Sequence, residues 1–137
     1  MMIPNLTVEV KDLKCKKCST PYGAKGLFAI KNIKKGTVIF ALEGIKVPEP
    51  TRTSIQLEKG HHIEHPKGAY MNHHCDPTAE IIINYNQLQA FGLVVAKKNI
   101  KSANEITFDY ETTEDALAIP FRCKCCGKLV NGKTKRS

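Results

Sequence analysis

The chain has 137 residues, 42% hydrophobic and 25% charged, the balance of a folded globular protein and not of a disordered one. Its net charge of +8 is unevenly placed: residues 122–137 hold six Lys and Arg and no acid, leaving fifteen basic against thirteen acidic residues elsewhere, which argues against a uniformly basic nucleic-acid surface. The longest apolar run, Ala90 to Ala96, has seven residues, against about 20 in a membrane helix, and the opening MMIPNLTVEVKD lacks an apolar core of signal-peptide length, so the expectation is an intracellular protein with no membrane partner.

In chain order, residues 1–20 form an N-terminal strand and a Cys15-x-x-Cys18 segment. A glycine loop follows, Gly23-Ala24-Lys25-Gly26-Leu27-Phe28-Ala29, and then a β-branched run, Thr37 to Leu42. His61, His62 and His65 lie near Glu64, but without the H-E-x-x-H spacing of a zinc helix, and read as a surface loop. Glu80 to Tyr85 and Gly92 to Ala96 are further strand-like runs. Glu105 to Tyr110 alternates apolar and polar residues, as a half-buried strand does. No segment sustains a 3.6-residue apolar period, so helix is limited to single turns near 99–103 or 113–118. The reading is mostly β, many short strands with long connections, and a loose tail from Lys128 on.

Four stretches taken together carry more than any one of them. They are the glycine loop, Asn72-His73-His74-Cys75-Asp76-Pro77, Glu105-Ile106-Thr107-Phe108-Asp109-Tyr110, and Cys123-Lys124-Cys125-Cys126-Gly127. In this order they resemble the SET domain of protein-lysine methyltransferases. The resemblance implies a compact β fold of several short-stranded sheets with a knot-like crossing near the C-terminus. It divides the chain into the N-terminal segment 1–20, a SET domain over 21–112, and a post-SET cysteine segment with basic tail over 113–137. It also implies S-adenosylmethionine as cofactor and the side-chain amine of a lysine in a protein, such as a basic histone-like protein, as substrate.

Carried onto this sequence, the resemblance makes Tyr110 the catalytic residue. Lys25, Gly26, Leu27, Tyr70, Asn72 and His73 become the cofactor-binding set. The chemistry suits those residue types. A lysine amine must be neutral to attack, although its reference pKa is about 10.4. An apolar channel beside a sulfonium disfavours the charged form. Tyrosine supplies both an aromatic wall and an orienting hydroxyl. Ala24, Leu42, His74 and Thr78 depart from the family's usual residues, and Leu42 removes one hydroxyl from the channel.

The resemblance also implies zinc, with Cys75, Cys123, Cys125 and Cys126 as ligands in place of the family's usual set, whose last cysteine is missing here. Cys15-x-x-Cys18 is an alternative partner for Cys123-x-x-Cys126. Two other functions compete: a SET-like peptide-binding module with little turnover, and a zinc-dependent nucleic-acid binder whose tail makes weak contacts. Glu105, Asp109, Glu111, Glu114 and Asp115 crowd into 11 residues beside the channel that the resemblance implies, and read either as a negative potential that steers a cationic peptide or as an acidic solvated loop.

Overall fold

The computed structural model describes residues 7–12, 25–51, 53–85, 90–118, 120–123 and 127–132. Their strands are β1 (Val8–Asp12), β2 (Lys25–Ala29), β3 (Val38–Leu42), β4 (Ile45–Val47), β5 (Ile55–Glu58), β6 (His61–Glu64), β7 (Asn72–His73), β8 (Ala79–Tyr85), β9 (Ala90–Ala96), β10 (Glu105–Phe108), β11 (Phe121–Arg122) and β12 (Leu129–Val130). Helix among the described residues is confined to two 3-10 turns, Gly68–Tyr70 and Tyr110–Thr112. None is long and apolar enough to cross a membrane.

The strands form small sheets. One runs β1-β2-β10-β7, a second β3-β9-β8, a third β4-β6-β5, and β11 pairs with β12 alone. Alternation along β8 and β9 explains the second sheet, where seven residues pair in unbroken register from Ala79 opposite Ala96 to Tyr85 opposite Ala90. Gly92 sits opposite both Leu42 and Ile83. A Cβ there would stand 2.9 Å from the ends of Leu42 and Leu57, so glycine lets the second and third sheets close on each other.

The pairing that matters most for function is parallel. Thr107 of β10 lies opposite Asn72 of β7, and Phe108 opposite His73. Parallel neighbours require a long crossover, and here it is the whole β8–β9 hairpin. Leu27, Ile106 and Phe108 point into the core with Val94, Ala96 and Ile100.

Four expectations need correction. The glycine segment is a paired strand over Lys25–Ala29, because Leu27 and Ala29 alternate into the core. The histidine segment is strand β6, with His61 and His62 buried, because it is the middle strand of its sheet and is covered on both edges. The tail from Lys128 is not loose over its described part: Leu129 and Val130 pair with β11, and Val130 is fully buried. Between Asp109 and Ala118 the helical turn falls at Tyr110–Thr112, ahead of the expected 113–118, where the Asp109 carboxylate caps the Glu111 N–H.

Candidate active site

The parallel β7–β10 pair places the two central motifs against each other. Asn72 is fully buried. Its Nδ2 donates to the Lys25 carbonyl at 3.1 Å and to Glu105 Oε2 at 2.7 Å. Both partners accept only, so the amide orientation is fixed. That leaves Asn72 Oδ1 buried with no hydrogen-bond partner among the described residues. An unmet buried acceptor costs about 1–3 kcal/mol, and a bound N–H donor relieves it. The amino groups of S-adenosylmethionine are donors of that kind, so this position fits the cofactor the motifs imply.

His73 is held by the backbone of the next motif. The Tyr110 amide donates to His73 Nδ1 at 3.1 Å. An imidazole nitrogen that accepts carries no proton, so the ring is neutral with its hydrogen on Nε2. Burial lowers the pKa of His73, and the carboxylates of Asp109 and Glu111 pull it upward without reversing the shift.

Tyr110 is buried, and its hydroxyl donates to the Met71 carbonyl at 2.7 Å. Three rings surround it: Phe108 at 4.9 Å, His73 edge-on at 5.4 Å and Phe121 edge-on at 6.0 Å. Phe121 also meets His73 at 5.9 Å. With its proton committed to Met71, the Tyr110 oxygen can meet any further polar partner only as an acceptor.

The structure therefore brings together Lys25 through its carbonyl, Asn72, His73 and Tyr110. Gly26 is buried within β2. Leu27 is wholly in the core, paired with Val10 on one side and Ile106 on the other. Tyr70 ends the first 3-10 turn and packs against the core. Sequence reasoning missed Glu105 as the partner of Asn72, Met71 as the partner of the Tyr110 hydroxyl, and Phe121 as a third wall. Only Glu105 had a signal, since it opens the E-I-T-F-D-Y segment.

The acidic cluster has a different role from the one its density suggests. Glu111 is 2% exposed and Glu114 5%. Glu114 Oε2 accepts from the Gln56 amide at 2.6 Å, and the Gln56 side chain makes a two-way pair with Asp115, at 2.8 and 2.7 Å. Glu111 Oε2 accepts from the Asn131 and Gly132 amides, while Oε1 meets Lys128 Nζ at 2.6 Å. Burial pushes the Glu111 carboxyl upward, but Lys128 and the two amides outweigh it and hold the group below its ordinary range. Glu111 and Glu114 are thus committed to internal partners and contribute less to any field at the surface than solvated carboxylates would, whereas Glu105, Asp109 and Asp115 keep part of their surface exposed.

Among the described residues no group of three or more His, Cys, Asp or Glu side chains is arranged to hold a metal. Cys75 is exposed and Cys123 buried. Cys125 and Cys126 lie outside the described residues, as do Cys15 and Cys18. Two thiols do not complete a tetrahedral site.

A cleft of about 560 Å3 opens between the second and third sheets, lined by Leu42, Glu43, Lys46, His61 and Phe91 among others. None of Asn72, His73 and Tyr110 lines it. Leu42, where the family often has a tyrosine, forms part of its wall.

Comparison with known proteins places the chain by family and by fold. The SET-domain family model matches residues 24–111. The methyltransferase flvH of Aspergillus flavus is 32% identical over 83 residues, covering 59% of this chain and 44% of that protein, so the chain spans less than half of that relative. A crystal structure of a candidate histone methyltransferase from Plasmodium falciparum superposes with a TM-score of 0.60 at 19% identity, over 77% of this chain and 94% of the other. At that identity the likeness is one of fold.

Proposed function

The chain belongs to the SET-domain family, and on that premise we propose that it is an intracellular S-adenosylmethionine-dependent methyltransferase acting on the side-chain amine of lysine in a protein substrate. The observation that carries the reading is the juxtaposition of an unpartnered buried acceptor, Asn72 Oδ1, with a tyrosine hydroxyl set in an aromatic wall on the adjoining strand end.

When bound, S-adenosylmethionine supplies an electrophilic methyl group on a sulfonium. Asn72 would hold it through Oδ1, and the backbone of β7 and Lys25 would border it. His73, neutral and locked by the Tyr110 amide, would add no cationic charge to the surroundings of a bound cofactor. Phe108, Phe121 and the Tyr110 ring exclude water, and desolvation lowers the pKa of an amine placed among them. The Tyr110 oxygen would accept an N–H from that amine and hold its lone pair in a fixed direction. Held geometry of this kind supplies several kcal/mol of acceleration, about 7 at the lower end. A protein as substrate is supported by the description of the Plasmodium neighbour as a candidate histone methyltransferase.

The proposal includes one zinc ion per chain on Cys123 with Cys75, Cys125 and Cys126. Its support is the cysteine spacing alone. Metal analysis of reduced protein prepared with zinc tests it, and a ratio near zero removes it.

The central experiment is calorimetry with S-adenosylhomocysteine, followed by incubation with methyl-labelled cofactor and cell extract. One binding site and label on a protein band support the reading. Binding without transfer favours a peptide-binding module, and no binding at all removes the cofactor assignment.

A further inference from the structure

The residue after Tyr110 is wholly buried and carries a charge, which is expensive without several partners. Three groups that meet the Glu111 carboxylate come from the tail. Its carboxylate takes the amides of Asn131 and Gly132, both at 3.2 Å, and the ammonium of Lys128 at 2.6 Å. The Asn131 carbonyl in turn accepts from the Leu117 amide at 2.9 Å. Gly132 lies so close to the preceding chain that a Cβ would stand 2.3 Å from the Asp115 carbonyl oxygen, and its φ of +118° favours glycine.

What this docking delivers is on the other strand of the hairpin. Phe121 of β11 pairs with Val130 of β12, and its ring stands edge-on to both His73 and Tyr110. From Glu111 the connections run through β12 to Phe121 and back to Tyr110. We infer that Glu111 is a positioning residue for the active site, seating the β11–β12 hairpin so that Phe121 closes the wall beside His73 and Tyr110. The consequence for catalysis rests on the methyltransferase reading above; the seating does not.

Two measurements separate these. The first needs no activity: nuclear Overhauser contacts between the His73 and Phe121 rings, present in the wild-type protein, should vanish in Glu111→Gln and in Gly132→Ala. Gly132→Ala dislodges the tail and its amide contact while leaving the Glu111 side chain itself unaltered. The second is the label-transfer rate at saturating cofactor, with calorimetric stoichiometry for S-adenosylhomocysteine reporting the folded fraction. Loss of one charge-assisted contact predicts a rate lowered roughly tenfold at a stoichiometry still near one. Glu111→Asp should recover part of it. Glu111→Gln combined with Phe121→Ala should be no slower than the slower single variant, because both act through the same ring.

If Glu111→Gln does not fold, Lys128→Gln and Gly132→Ala carry the same two measurements. Ring contacts that persist in the variants overturn the seating. Lost contacts with an unchanged rate, or losses that add, overturn the positioning role. A wild-type protein that neither binds nor transfers overturns the methyltransferase reading, and the ring contacts still decide the seating.

Discussion

The Tyr110 hydroxyl donates to the carbonyl of Met71, the residue immediately before Asn72, so the proposed catalytic oxygen and the unpartnered amide oxygen are tied to one short stretch of backbone. Tyr110→Phe removes that hydroxyl and keeps the ring. Methyl transfer should fall by about tenfold or more with S-adenosylhomocysteine affinity within about twofold of the wild type. Because the Met71 carbonyl loses its donor, stability should drop by about 1 kcal/mol. Full transfer activity in this variant would end the catalytic assignment.

Asn72→Asp replaces the amide nitrogen with an oxygen facing two acceptors, Glu105 Oε2 and the Lys25 carbonyl. Two carboxyls at that separation, one fully buried and one partly buried, disfavour ionisation of both. Stability at neutral pH should fall by about 3 kcal/mol and recover in part as acid protonates one of the pair. Urea midpoints at about pH 7 and about pH 5 measure both effects. A midpoint equal to the wild type at neutral pH contradicts the amide orientation assigned here.

Burial lowers the pKa of His62 from 6.5, against the upward pull of Glu49 and Asp115 and with a further lowering from His61. The folded protein therefore keeps this ring neutral at pH values where the unfolded chain takes up a proton. Below about pH 6.5 the unfolded state binds more protons, so stability should decline as pH falls through that window and level off below the folded pKa. His65, lowered first by burial and then by Lys67, adds in the same sense. His62→Gln should flatten this limb of the profile; an unchanged slope would assign it to other groups.

Gly92→Ala should cost about 1–3 kcal/mol, since its Cβ meets the ends of Leu42 and Leu57 in a packed interior. Ala103 has φ of 75°, a region unfavourable to side chains. Ala103→Gly should therefore gain about 0.5–1 kcal/mol after the entropy of the added glycine is counted. Thermal unfolding reads both, and opposite signs are expected from two substitutions of similar size.

Local pattern made much of the fold legible. Thr37 to Leu42 and Glu80 to Tyr85 announce strands through their branched side chains, and the structure has β3 and β8 there. The motif residues Asn72, His73 and Tyr110 converge as their chain order implied. What was not legible depends on partners distant in sequence. His61 and His62 look like polar loop residues until β4 and β5 cover them. Glu111 and Glu114 look like solvated charge until Lys128 and Gln56 are seen beside them. Composition reports a side chain's preference for water and says nothing of the hydrogen-bond donors that can replace it.

The six residues from Tyr110 to Asp115 reach back to Met71 and Gln56 and forward to Gly132. Such long-range closures are paid for in chain entropy before they return any contact energy, and they make folding slow. During synthesis, β7 emerges well before β10, its parallel neighbour, and the tail that seats Phe121 comes later still. A ribosome must therefore deliver residues through Gly132 before this site can close. Until then His73 and Tyr110 lack the edge-on ring that Phe121 supplies.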